Sequence, residues 1–72
     1  MPHVSVKMYP GRTEAQKQKL AEAITRAVMA EAGSSERSIS VAIEEVAPEL
    51  WTETVYKPEI AGKPDALYKK PG

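Results

Sequence analysis

Two short segments in which apolar and polar residues alternate flank one long amphipathic segment, and this order limits the possible folds more than any other feature. In the first segment, Val4, Val6 and Met8 fall on one side of the chain and polar residues on the other. A period of two is typical of a half-buried strand. The alternation returns from Ser38 to Val46. The sequence therefore predicts strands over His3–Tyr9 and Ser38–Val46.

The segment between these strands has the signals of a single helix. Thr13 is followed three positions later by Gln16, which is a capping-box pattern. We predict a helix from about Glu14 to about Glu31, ended by Gly33, which suits a carboxyl-terminal cap. Its apolar stripe consists of Leu20, Ile24, Ala27 and Val28.

A strand, a helix and a second strand at this spacing form a crossover unit, whose two strands run parallel. The rest of the chain is rich in prolines and predicts a carboxyl-terminal arm with only a short helical turn around Asp65–Lys69. The predicted fold class is α+β. It is a β-α-β unit with one long helix, in a single domain over residues 1–72.

The chain is too small to be stable in this form by itself. It has 72 residues, no cysteine and one histidine, so disulfides and histidine-rich metal clusters are excluded as stabilising elements. Two strands also make a sheet that is too narrow and that leaves backbone groups unpaired at its edges. We therefore predict a homo-oligomer in which further copies complete the sheet.

Charge and hydropathy exclude several kinds of partner. Ten basic and ten acidic residues cancel, which argues against nucleic acid and against anionic membrane surfaces as partners. No apolar stretch is long enough to span a bilayer, and no apolar leader segment is recognisable at the amino terminus. The expected location is the cytoplasm.

Pro2 is the first candidate for chemistry. Removal of the initiator methionine before a small residue would leave Pro2 with a free secondary amine, and apolar surroundings and a nearby cation favour the uncharged, basic form of an amine. The alternative is structural, because proline is also tolerated at the first position of a strand.

Three further side chains have a functional and a structural interpretation each. Arg12, in the turn after the first strand, could bind a carboxylate with paired donors or be solvated. Trp51 could form a pocket wall or fill a core. His3, on the polar face of the first strand, could act in acid–base chemistry or be simply exposed or hydrogen-bonded.

Taken together, several of these features resemble the 4-oxalocrotonate tautomerase family. They are Pro2 after methionine, the pair "GR" that ends at Arg12, the pair "QK" at Gln16 and Lys17, the β-α-β frame and the aromatic Trp51. The tail "ALYKKPG" is similar to the tails of a subgroup of short bacterial tautomerases. The resemblance covers most of the chain.

The resemblance implies a keto–enol isomerase that needs no cofactor and no metal. Pro2 would be the catalytic base, Arg12 would bind the carboxylate of a small 2-oxo or enol acid, and Trp51 would keep the pocket apolar. Family members with two arginines carry the second one where this chain has Ser40, which offers one hydrogen bond and no charge. An aryl-enolpyruvate type acid with one carboxylate is therefore expected rather than a dicarboxylate such as 2-hydroxymuconate. Arg37 is a possible replacement for the missing arginine.

Some alternatives stay open from the sequence. The assembly is expected to be a homodimer or a hexamer built as a trimer of dimers. A non-catalytic oligomer that binds a carboxylate or serves as a scaffold is a second hypothesis. A third is that the same proline activates water for addition to unsaturated acids or for their dehalogenation.

Overall fold

A computed structural model describes residues 1–72 and has the predicted α+β architecture. The elements of its first part are strand β1 (His3–Met8), helix α1 (Glu14–Ala32), a 3₁₀ turn (Glu36–Ser38) and strand β2 (Ser40–Glu45). The elements of its second part are helix α2 (Pro48–Trp51), a π-helix that continues α2 (Thr52–Ala61) and a 3₁₀ turn (Pro64–Ala66). The predicted strands and long helix are therefore present, with ends that differ by one or two residues.

β1 and β2 pair in parallel, as the crossover pattern predicted. His3 lies opposite Ser40 at one end of the ladder and Met8 lies opposite Glu45 at the other. One further backbone hydrogen bond extends the ladder at each end, from the Ser40 N–H to the Pro2 carbonyl and from the N–H of residue 46 to the Met8 carbonyl. This register fixes which side chains meet at the amino end and at the carboxyl end of the sheet.

The predicted caps of α1 are confirmed. The Thr13 hydroxyl accepts a hydrogen bond from the Gln16 N–H at 3.1 Å, and the Gln16 side chain accepts one from the Thr13 N–H at 2.8 Å. Gly33 ends α1 with φ 71°, a left-handed conformation that favours glycine. None of the helices combines the length and the apolar composition that a bilayer-spanning segment needs.

Helix α1 packs on one face of the sheet, above β2. Lys17 joins the two elements, because its Nζ lies 3.4 Å from a Glu45 carboxylate oxygen and 2.6 Å from one of Glu14. Of the predicted apolar stripe, the three large residues are half-buried, but Ala27 is exposed and Ala21 takes its place towards the sheet. The correction follows from the position of α1 over β2, where Ala21 lines the same groove as Val41 and Ile43.

The carboxyl-terminal segment differs from the prediction. A turn-rich arm was expected, with a helical turn only around Asp65–Lys69, but residues 48–61 are helical and the 3₁₀ turn ends at residue 66. Pro48 occupies the first position of α2, where a missing N–H costs little. Pro58 lies inside the π-helix, where it removes one backbone N–H donor. Gly62 follows this segment, and a side chain there would lie 2.4 Å from the Lys57 carbonyl oxygen.

The single chain buries little of itself. Only Val46 and Val55 are buried, with 8% and 5% of their surface exposed. The accessible surface is 5608 Å², whereas a compact chain of this mass exposes about 4,400 Å². The radius of gyration is 13.6 Å, against about 11 Å for a compact domain of this length. The predicted completion of the sheet by further copies requires such exposed surface for the contacts between chains.

Candidate active site

The amino end of the sheet brings together Pro2, His3 and Ser40, which we name the amino-end cluster. Pro2 is half-buried, and its carbonyl oxygen accepts a hydrogen bond of 3.2 Å from the Ser40 N–H. His3 and Ser40 face each other across the ladder, and His3 Nδ1 lies 2.6 Å from Ser40 Oγ. Pro2 and Ser40, both predicted as site residues, are therefore neighbours within one chain.

His3 takes the exposed, hydrogen-bonded position that was one of its two predicted alternatives. The sequence placed its side chain on the polar face of β1, but it did not indicate that Ser40 would be the partner. Such a pairing depends on the register of the two strands, which the apolar alternation restricts only to every second residue.

The carboxyl end of the sheet carries the other two predicted residues, together with Tyr9. Tyr9 and Trp51 pack edge to face, with ring centroids 5.2 Å apart and an interplanar angle of 87°. Arg12 lies in the exposed loop between β1 and α1 and has no ion-pair partner. We name Tyr9, Arg12 and Trp51 the carboxyl-end cluster.

Tyr9 was not among the predicted site residues. The signal for it was present, because parallel pairing places the residues that follow the two strands at the same edge of the sheet. Tyr9 follows β1 directly, and Trp51 ends the short helix after β2. An aromatic pair of this geometry contributes more than its buried area alone.

The two clusters are separated by the length of β1. This strand has six residues, which corresponds to about 16 Å along its axis. Arg12 lies beyond the carboxyl end of β1, in the loop that leads to α1. The start of α1 lies beside Glu45 at that end of the sheet, because Lys17 forms an ion pair with Glu45. Within one chain, the structure thus groups Pro2 with Ser40 and Trp51 with Tyr9, but it does not bring Pro2 and Arg12 together.

Arg37, the possible replacement for the missing arginine, lies in the 3₁₀ turn that precedes β2. Its side chain is exposed and forms no ion pair. The structure therefore places a free guanidinium on the amino-end side of the chain, three residues before Ser40, with no hydrogen bond between the two side chains.

Two surface grooves are present, and neither belongs to the clusters. One of about 420 Å³ follows a face of α1 and reaches Glu36. The other, of about 210 Å³, lies between the start of α1 and the side chains of Val41 and Ile43. Pro2, Arg12 and Trp51 line neither groove. One chain alone therefore has no pocket that contains the predicted base and the predicted carboxylate site.

Two lysines connect the sheet to the helices by ion pairs. The pKa of Lys7 is raised above its ordinary value of 10.5, mainly because its ammonium group donates a hydrogen bond to the Glu59 carboxylate. The pKa of Lys17 is raised mainly by its hydrogen bond to Glu14, with Glu45 acting in the same direction. Both lysines hold elements together and neither lies in a cluster, so their role is structural.

Comparison with protein families gives a match that contains both clusters. The family model for tautomerases, described as tautomerase enzyme, matches residues 2–53. This range begins at Pro2 and includes Arg12, Ser40 and Trp51.

Individual proteins give the same result. Tautomerase PptA of Cronobacter sakazakii is 44% identical over 73 aligned residues, which cover 100% of this chain and 96% of that protein. The crystal structure of YwhB, a homologue of 4-oxalocrotonate tautomerase, matches with a TM-score of 0.63 and 50% identity over 64% of this chain and 75% of that one. TomN, a 4-oxalocrotonate tautomerase homologue in the tomaymycin biosynthetic pathway, matches with a TM-score of 0.67 and 32% identity over 69% and 77%.

Proposed function

We propose that this chain, which belongs to the tautomerase family and is an isomerase, interconverts the keto and enol forms of a small carboxylic acid. The Pro2 nitrogen acts as the base. The proposal requires that Met1 is removed, because Pro2 otherwise carries an amide nitrogen without basicity. The observation that carries it is the position of Pro2, half-buried at the start of β1 and within a family match that begins at this residue.

The fixed position of Pro2 suits a base. Its carbonyl oxygen is held by the Ser40 N–H, so the residue stays in the ladder although it lies next to the chain terminus. The pyrrolidine ring ties the nitrogen to Cα, which leaves the nitrogen lone pair little freedom. In the reaction, the nitrogen takes a proton from the enol oxygen and returns a proton to a carbon of the conjugated system. The product is an isomer of the substrate, and no redox partner takes part.

Arg12 is proposed to bind the substrate carboxylate. Its guanidinium is exposed and has no partner within the chain, so its paired N–H donors are free. A bound cation also withdraws electron density from the reacting carbons, which favours the enolate that forms during proton transfer. Trp51, supported by Tyr9, provides an apolar wall that limits the access of water.

The complete site is proposed to form between copies of the chain. Pro2 and Arg12 lie at opposite ends of β1, so two chains whose strands run in opposite directions would place the amino-end cluster of one beside the carboxyl-end cluster of the other. The large exposed surface of the single chain supports such an assembly. A homodimer and a trimer of dimers would both satisfy this arrangement.

The substrate is proposed to carry one carboxylate and an apolar tail, as in an aryl-enolpyruvate. Ser40 supplies one hydroxyl and no charge at the amino-end cluster, so a second carboxylate would find a weaker partner there than an arginine. A 2-hydroxy-dienoate with two carboxylates is therefore expected to have the lower kcat/KM.

The test compares Pro2→Ala with Pro64→Ala, using phenylenolpyruvate as substrate and intact-mass measurement to establish that Met1 is absent. Pro2→Ala should lower kcat/KM by about 100-fold or more, within the range of a lost general base. Pro64→Ala changes an exposed proline far along the chain and should leave kcat/KM unchanged. Wild-type activity in Pro2→Ala, or retention of Met1 in a fully active protein, would contradict the proposal.

A product analysis by NMR separates isomerisation from the related reactions. Hydration of an acrylate-type acid adds the elements of water, and hydrolytic dehalogenation replaces the halogen by a hydroxyl group from water with release of halide and a proton, whereas tautomerisation leaves the composition unchanged. Efficient conversion of such acids together with negligible tautomerisation would replace the proposed reaction by proline-activated water chemistry.

A further inference from the structure

We propose that His3 is a positioning residue that holds the Ser40 hydroxyl group ready to donate a hydrogen bond to a substrate oxygen. This inference rests on the proposed function, in which the substrate binds at the amino-end cluster that contains Pro2 and Ser40. It goes beyond that function because it assigns a role to a side chain that acts only through another residue.

The geometry of the pair carries the proposal. The strand register places His3 opposite Ser40, and His3 Nδ1 lies 2.6 Å from Ser40 Oγ. The backbone N–H of Ser40 is already bound to the Pro2 carbonyl. The hydroxyl is therefore the group of Ser40 that remains for a ligand, and His3 is its partner in the chain.

A serine hydroxyl has one hydrogen to donate, so the direction of the bond with His3 decides what Ser40 offers to a ligand. If His3 Nδ1 carries no hydrogen, it accepts the Ser40 O–H, and only lone pairs of Oγ remain. If Nδ1 carries its hydrogen, it donates to Oγ, and the Ser40 O–H is free to point elsewhere.

The substrate chemistry selects one of these directions. Carboxylate and enolate oxygens accept hydrogen bonds and donate none, so Ser40 can assist them only as a donor. His3 must then present Nδ1–H to Ser40, which in the neutral ring is the tautomer with Nε2 unprotonated. The proposal thus predicts a specific tautomer at a specific atom.

Three substitutions of His3 separate the donor from the mere presence of a polar side chain. His3→Asn places an N–H₂ group at the position of Nδ1 and should keep kcat/KM within about 3-fold of wild type. His3→Gln moves its donor one bond further out, and His3→Asp offers only acceptors at the same place. Both should lower kcat/KM by about 10-fold, as expected for loss of one hydrogen bond to the reacting system.

A double-mutant cycle shows whether His3 acts through Ser40. In a Ser40→Ala background, His3→Gln should cause no further loss, because the group that His3 positions is absent. Ser5→Ala serves as the matched control, since Ser5 lies on the same exposed side of β1 as His3 and faces Ala42, and it should not change kcat/KM. An equal loss from His3→Gln in both backgrounds, or wild-type activity in all three His3 variants, would overturn the proposal.

A nitrogen NMR measurement is independent of turnover. The chain contains a single histidine, so its two ring-nitrogen signals need no assignment to different residues. The proposal expects the hydrogen of the neutral ring on Nδ1. A neutral ring protonated on Nε2 contradicts this proposal even in a fully active enzyme. If turnover by the wild-type protein does not depend on Pro2, the result contradicts the proposed function instead.

Discussion

The two ends of the sheet are built from different interactions. At the amino end, Pro2 and Ser40 are joined through the backbone ladder, and His3 adds a short side-chain contact. At the carboxyl end, Tyr9 and Trp51 meet only through their rings. One cluster is therefore held by the strands, and the other depends on how the loops and the later helices pack.

This difference matches the demands of the proposed chemistry. A base must be held in a fixed place, because proton transfer depends steeply on distance and direction. A carboxylate-binding arginine tolerates a looser support, since an exposed guanidinium can adjust to its ligand. The comparison also shows the limit of one chain, which holds each half of the site but keeps the halves a strand length apart.

The largest expected effect comes from mixing two variants that each have strongly reduced activity. Pro2→Ala and Arg12→Ala each damage one cluster, so a site formed between chains can regain one intact pair in a mixed assembly. After the two variants are unfolded and refolded together, about a quarter of the sites should be intact in a two-fold symmetric pairing. Recovery of roughly that fraction of wild-type kcat is expected.

The control for this experiment is each variant refolded alone, which should keep only the residual activity of that variant. Absence of recovery in the mixture, with formation of mixed oligomers established by mass spectrometry, would mean that Pro2 and Arg12 act within the same chain. The separation of the two clusters would then have to close by a movement of the loop that carries Arg12.

The second effect concerns which end of the sheet supplies the positive charge that binds the substrate carboxylate. Arg12→Ala should lower kcat/KM by about 10- to 100-fold, as expected for the loss of charge-assisted hydrogen bonds to a carboxylate. Arg37→Ala is the matched control, because Arg37 is also exposed and unpaired but lies before β2. It should change kcat/KM by less than about 3-fold. A reversed order of the two losses would place the carboxylate at the amino-end cluster.

The third effect concerns the packing of the π-helix. Val55, in the π-helix, is the most buried residue of the chain with 5% exposure. Val55→Ala should lower the free energy of unfolding by about 2 kcal/mol, since it leaves a cavity. Lys63→Ala, at an exposed position, should change it by less than about 0.5 kcal/mol. Denaturant unfolding at one fixed protein concentration measures both, and equal effects would contradict the role of Val55.

The amino-terminal part of the fold could be predicted because its signals are local. Alternation marked both strands, and Thr13, Gln16 and Gly33 marked the ends of α1, so the structure follows the sequence there. The segment from Pro48 to Ala61 was missed because its prolines resemble turn signals until their helical positions are known. Pairings across the fold, such as His3 with Ser40 and Tyr9 with Trp51, depend on register and packing and have no local signature.

The fourth effect compares two threonines that bond to helices in opposite ways. Thr13 caps α1 by accepting from the Gln16 N–H, and Thr13→Ala should cost about 1 kcal/mol of stability. Thr54 donates to the Leu50 carbonyl, a contact within the helix that competes with the backbone. Thr54→Ala should therefore change stability by a few tenths of a kcal/mol at most. Thermal unfolding measures the two differences, and a larger loss from Thr54→Ala would contradict this account.

The smallest effect is the pH dependence of the ion pair between Lys7 and Glu59, which ties the π-helix to β1. The hydrogen bond to Glu59 raises the pKa of Lys7 above 10.5, so the folded state holds this proton more tightly than the unfolded state. The stabilisation is therefore complete below pH 10.5 and is lost as the pH rises through the raised pKa of Lys7. A Glu59→Gln variant should melt slightly below wild type at pH 8, and the difference should vanish at strongly alkaline pH. Lys57 and Glu53 form an exposed pair within the same helix, and Glu53→Gln is the matched control that should leave the melting temperature almost unchanged. A difference between Glu59→Gln and wild type that persists when Lys7 is uncharged would show that Glu59 stabilises the segment by packing rather than by charge.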